Sequence, residues 1–150
     1  MKPSDDMLGT GRDAICVKCH SSSSKGFKTA LAIKNSIEEL KTDITQAKES
    51  TSKAERLGME VEDAVFDVNE ANNSLTKARA YIHSFSREQV GSIVEEGKSL
   101  TKKAKELAKK AIDNFNFRRK GYSLAILLIF IFSLALYLRI KMLEKNKGEK

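Results

Sequence analysis

"ALAIKNSIEELKTDITQAKESTSKAERLG", residues 30–58, sets the architecture of this chain. Ala30, Ile33, Ile37, Leu40, Ile44, Ala47, Thr51 and Ala54 follow one another at alternating steps of three and four. In a helix of about 3.6 residues per turn, that spacing lines up one face and repeats as a heptad. Lys34, Glu38, Glu39, Lys41, Asp43, Lys48, Glu49 and Lys53 fill the positions between and make the opposite face a solvated one. So narrow an apolar seam has to be covered by partner helices. Leu57 closes the run, and Gly58 suits the position just past a helix end, where a left-handed backbone is needed.

Two further runs supply those partners. Val61, Ala64, Val68, Ala71, Leu75, Ala78, Ile82 and Phe85 keep the same steps, and Val65 and Phe66 are expected to widen the seam at its start. The intervening "LGME" is short, which predicts antiparallel neighbours. Ser86, with Gln89 three residues on, has the form of a capping box. Val90, Ile93, Gly97, Leu100, Ala104, Leu107 and Ala111 then carry a third seam. Gly91 and Gly97 each weaken that helix by about 1 kcal/mol relative to alanine.

The third run passes without a proline into "GYSLAILLIFIFSLALYL", residues 121–138, which holds no charged residue. Eighteen helical residues cover about 27 Å, close to the hydrocarbon thickness of a bilayer. Tyr122 and Tyr137 stand near its two ends, where amphipathic rings prefer the interface. Too little other apolar surface exists to bury such a helix, so it is expected to cross a membrane. The predicted fold is all-α: an antiparallel three-helix coiled coil (27–57, 60–85, 87–117) whose last helix continues into a single transmembrane helix at 118–140, with a basic tail at 141–150. Arg118, Arg119 and Lys120 flank the span on one side, and Arg139, Lys141, Lys145, Lys147 and Lys150 on the other, so the positive-inside rule does not orient it.

Composition narrows the function. The 150 residues carry 27 Lys+Arg against 20 Asp+Glu, a net charge of +7, with one proline and no tryptophan. The basic residues alternate with acids along helices that hold few aromatics, which does not fit a nucleic-acid surface. No phosphate loop or hydrolytic triad is visible. The N-terminal "MKPSDDMLGTGRDAI" has no apolar core of the kind a secretory signal requires.

The chemistry is concentrated in "CVKCH", residues 16–20. Two cysteines separated by two residues and followed by a histidine form the attachment pattern of a c-type haem. Cys16 and Cys19 would form thioethers with the porphyrin vinyl groups, and His20 would bind the iron from the proximal side. Two alternatives compete: half of a zinc site, and a redox dithiol. A closed zinc site would need Cys16, Cys19, His20 and His83, and the adjacent Cys19 and His20 are poorly placed to share one tetrahedral ion. A redox dithiol usually opens a helix in a βαβ setting, which this chain lacks.

His83 is the second histidine. If the hairpin turns near Gly58 and Met59, His83 returns to the end of the molecule that carries the cysteine motif and becomes a candidate axial ligand. Met59 falls at the opposite end. A histidine near a helix end also serves simply as a partner of the helix dipole. Phe27, Tyr81 and Phe85 fall near the motif end as porphyrin neighbours or, with more weight, as core residues. Arg12 and Lys18 are candidates for pairing with propionates.

Taken together, "CVKCH", the helix ending in "ARAYIHSF" and the terminal span after "FRRKG" resemble the C-terminal part of a membrane-bound multihaem c-type cytochrome. The layout is similar to families such as octahaem hydroxylamine oxidoreductase and pentahaem nitrite reductase, which place long helices after their last haem motif. The resemblance implies covalent haem c, single-electron transfer rather than an enzymatic site of the chain's own, and redox partner proteins. It also implies a single-pass location in the cell membrane with the haem side periplasmic. Such families carry several haem motifs and an export signal, whereas this sequence has one motif in a segment, residues 1–26, too short to cover a haem. A further haem domain or subunit, or an upstream region outside this reading frame, is therefore expected. The competing expectation is a tail-anchored coiled-coil interaction protein in the cytoplasm, with a zinc-binding or purely structural Cys-x-x-Cys-His motif.

Overall fold

A computed structural model describes residues 21, 23–82 and 86–147. Among them the chain is all-helical, with α1 (Lys25–Arg56), α2 (Glu62–Tyr81) and α3 (Arg87–Lys147) and no strand. The chain divides into two compact units, Met1–Ile112 and Asp113–Lys150. The three helices pack together in the first.

Local chemistry fixes the helix ends. Ser24 has an extended backbone (φ −66°, ψ 148°), and its hydroxyl accepts a hydrogen bond from the Phe27 N–H at 3.3 Å. Its own N–H donates to the Ser21 carbonyl at 3.0 Å. The last serine of the run is thus a helix cap, and α1 starts two residues before Phe27, where the apolar pattern alone would begin it. At the other end, the Gly58 N–H donates to the Glu55 carbonyl and the Met59 N–H to the Ala54 carbonyl, at 2.8 and 3.2 Å. With Gly58 at φ +73°, this pair of bonds forms a Schellman motif. Met59 then packs on the cluster that contains Ala54, the apolar contact that accompanies such a turn. The Ser86 hydroxyl accepts from the Gln89 N–H at 3.3 Å and caps α3.

The core lies along the seams in three successive clusters. The first joins Ala30, Ile33, Ile37, Leu40 and Ile44 to Ala71, Leu75, Ala78 and Ile82 and to Val90 and Val94. The second is small: Ala47, Ala64, Val68 and Ala104. The third holds Ala54, Ala108 and Ala111, with Met59, Val61 and Ile112 against them. From the first cluster to the third, residue numbers rise along α1 and α3 and fall along α2, so α2 runs against the other two. Branched side chains fill the end where α1 begins, and alanines fill the end where it stops. A fully buried Leu or Ile contributes about 1.5–3 kcal/mol, so most of the hydrophobic stabilisation comes from the first cluster.

Two details depart from the sequence pattern. In α3 the buried positions are Val90, Val94, Gly97, Thr101, Ala104, Ala108 and Ala111. Ile93, Leu100 and Leu107, expected at the centre of the seam, sit half-buried on its edges. Val65 and Phe66 do not widen the α2 seam but are 40% and 63% exposed. The positions beside the seam that do go inward are polar, Asp67 and Ser74.

In the second unit the helix is long and apolar enough to cross a membrane, and none of its apolar stretch is buried inside the chain. Ile126, Ile129, Phe130 and Phe132 are among its exposed side chains.

Candidate functional site

Cys16, Cys19, His20 and His83 lie outside the described residues, as do Arg12, Lys18 and Phe85. What the fold does describe is the chain on either side of them. Ser24 and the first turns of α1 follow the cysteine motif, while Ile82 and Ser86 bracket His83. Ala30 and Ile33 share one cluster with Ala78, Ile82 and Val90, so the start of α1, the end of α2 and the start of α3 meet at one end of the bundle. Met59 packs in the third cluster, at the other end.

The large side chains at the motif end are mostly used by the bundle itself. Phe27, Ile33 and Ile82 are 4%, 2% and 9% exposed. Phe27 is therefore a core residue, the more heavily weighted of its two expected roles. Leu31 and Tyr81 remain partly accessible, at 37% and 47%. A haem is a large apolar disc, and the described residues at this end present little free apolar surface to cover one. Among the described residues there is no group of three or more His, Cys, Asp or Glu side chains placed to hold a metal ion.

Charge is organised between the helices. Lys98 of α3 donates to the Glu39 carboxylate of α1 at 2.7 Å, and Lys105 donates to Asp43 at 2.8 Å. The hydrogen bond to Glu39 raises the Lys98 pKa above its ordinary value, outweighing the opposing effect of burial, and the charges of Glu39, Glu95 and Asp43 add to it. Lys98 also lines a groove of about 520 Å³ with Asn35, Glu38, Glu39, Thr42 and Asp43. A second groove of about 480 Å³ lies at the α1–α2 turn, where Met59, Val61, Val65 and Phe66 are rimmed by Glu55, Glu60 and Glu62. Neither groove is formed by residues adjoining the cysteine motif or His83.

The sequence reading missed one buried charge. Asp67 is 1% exposed, and its Oδ1 accepts from Lys103 Nζ at 3.1 Å, while Lys103 itself is 64% exposed. Asp67 Oδ2 and the buried Thr51 Oγ1 have no hydrogen-bond partner. Position 67 stands three residues beyond Ala64 and seven before Ser74, on the flank of the seam. A seam-edge periodicity that admitted polar residues would have marked both.

Comparison of the chain with family models, with curated proteins and with solved structures returns no match.

Proposed function

We propose that this chain is a membrane-anchored c-type cytochrome segment that carries covalently bound haem and passes single electrons in a respiratory chain. In this reading the three packed helices are an antiparallel coiled coil, and the helix that follows them crosses the bilayer once. The bundle and its haem face the periplasm. Cys16 and Cys19 hold the haem through thioethers, His20 is the proximal iron ligand and His83 the axial one. When bound, the haem iron supplies one-electron redox chemistry, and the chain's residues hold it and set its environment.

The observation that carries the reading is the first core cluster. It brings the chain segments that flank "CVKCH" and His83 to the same end of the bundle, as a bis-histidine site shared between these segments requires. The apolar stretch at residues 121–138 supports the anchor. Because Phe27, Ile33 and Ile82 are already buried in the bundle, the haem needs cover from another haem domain or subunit.

The test is expression of the full chain together with the haem-maturation machinery, followed by a haem stain of a denaturing gel. A covalent stain that disappears in Cys16→Ala/Cys19→Ala supports the assignment. An unstained parent chain would refute it and favour the tail-anchored interaction protein, for which zinc content is the next measurement. His83→Ala should change the low-spin optical and EPR spectra, and unchanged spectra would remove His83 from the iron.

A further inference from the structure

We propose that Arg118, Arg119 and Lys120 form a collar that binds the head groups of acidic phospholipids. The inference rests on the membrane-crossing reading of the second unit and is independent of the haem.

Three consecutive cations directly precede the apolar stretch, and all three are exposed. At about 100° per residue they spread over roughly 200° of the helix circumference, so they meet several lipids rather than one partner helix. None of them takes part in an ion pair among the described residues. This sets them apart from Lys98, Lys103 and Lys105, each of which pairs with a carboxylate across the bundle. The nearest acid in sequence is Asp113, more than one helical turn away. The Arg119 guanidinium lies 5.9 Å from the centre of the Phe115 ring, a contact that restrains the group and leaves its N–H donors for oxygen acceptors.

Depth selects the ligand. Arg119 and Arg139 are twenty residues apart, about 30 Å of helix, which matches the hydrocarbon core of a bilayer. No charged residue lies between Lys120 and Arg139. With the apolar stretch in hydrocarbon, the collar sits at the level of the lipid phosphates. Tyr122, 69% exposed, falls where aromatic side chains favour the interface, and Phe117, 80% exposed, lies just before the cations. Guanidinium groups bind phosphate oxygens in bidentate fashion. Zwitterionic lipids bring a cation of their own, whereas acidic lipids bring uncompensated charge, so the collar enriches acidic lipids around the helix.

The chain has no tryptophan, so Phe117→Trp gives a single reporter beside the collar. The full-length chain is reconstituted into mixed phosphatidylcholine and phosphatidylglycerol vesicles, with bromine quenchers on the acyl chains of one lipid or the other. Local enrichment of phosphatidylglycerol of about fivefold per engaged cation is expected, read as stronger quenching by the brominated acidic lipid. Arg118→Gln/Arg119→Gln/Lys120→Gln should abolish that preference, whereas Arg139→Gln/Lys141→Gln should leave it in place. Equal quenching by the two lipids in the chain with an intact collar would overturn the proposal. Loss of the preference on adding inorganic phosphate at constant ionic strength would also overturn it, by pointing to a soluble anion. Extraction of the parent chain from membranes at alkaline pH would remove the membrane-crossing reading, and the collar with it.

Discussion

Asp67 is a buried carboxylate inside a core built largely of alanine, and its cation, Lys103, reaches it from the surface. A carboxylate taken out of water costs several kcal/mol unless it is paired, and Lys103 compensates only one of its two oxygens. The pair is therefore weak as a source of stability but costly to break from one side. Lys103→Met should destabilise the bundle by about 2 kcal/mol, because the charge it leaves behind is still buried. Adding Asp67→Ala removes that charge and should restore stability to within about 1 kcal/mol of the parent. Denaturant unfolding of the parent, both single variants and the double variant would measure the coupling. Additive losses would mean that Asp67 does not depend on Lys103.

Within the helices, the tightest constraint is the approach of α3 to α1 and α2 at Gly97. A Cβ built there would stand 2.9 Å from both terminal methyls of Leu40 and 3.2 Å from the Ser74 Cβ. Leu40 is fully buried in the first cluster and has no open side toward which to move. At Gly91 a Cβ would meet nothing within 4 Å. Both substitutions gain helix propensity, but only one of them overpacks the core. Gly91→Ala should therefore stabilise the bundle by about 0.5–1 kcal/mol, and Gly97→Ala should destabilise it by about 1 kcal/mol. Thermal melts of the two variants would separate the effects, and equal gains would show that the seam has slack at Leu40. The same close approach explains which parts of the seams the sequence revealed. In α1 every expected seam position from Ala30 to Ala54 is buried, because from Ile37 onward each apolar residue has polar neighbours and the period is unambiguous. In α3, adjacent apolar pairs (Ile93 and Val94, Leu107 and Ala108) leave the register open by one residue. Size suggested the larger member, but a helix packed closely against two others takes the smaller one at its centre. Asp67 and Ser74 were hidden for a related reason: their burial follows from position, and hydrophobicity gives no hint of it. For the candidate site, the sequence offered candidate ligands and, through the expected hairpin, one end for them to share; the first cluster gathers the flanking segments there. That follows from the direction of α2.

Taken whole, the chain keeps its packing and its membrane-competent stretch in separate parts of the sequence. Among the described residues, all three core clusters are drawn from 30–112, and none beyond Ile112 contributes to any of them. The second unit begins at Asp113, and its apolar side chains from Phe117 to Met142 are exposed. The described core of the first unit holds no residue of the second, and the apolar stretch of the second is long enough to cross a membrane and is not buried inside the chain. A chain ending at Ile112 should therefore remain soluble, keep a strongly helical circular-dichroism spectrum and unfold in one cooperative transition. The transition should fall at modest temperature, because two of the three clusters are built mostly of alanine and bury little apolar area per residue. The full chain should instead partition into membranes and resist alkaline extraction. If the chain ending at Ile112 were unfolded, or melted without cooperativity, the helical seams would be insufficient by themselves, and the bundle would depend on membrane attachment or on a partner that covers its motif end.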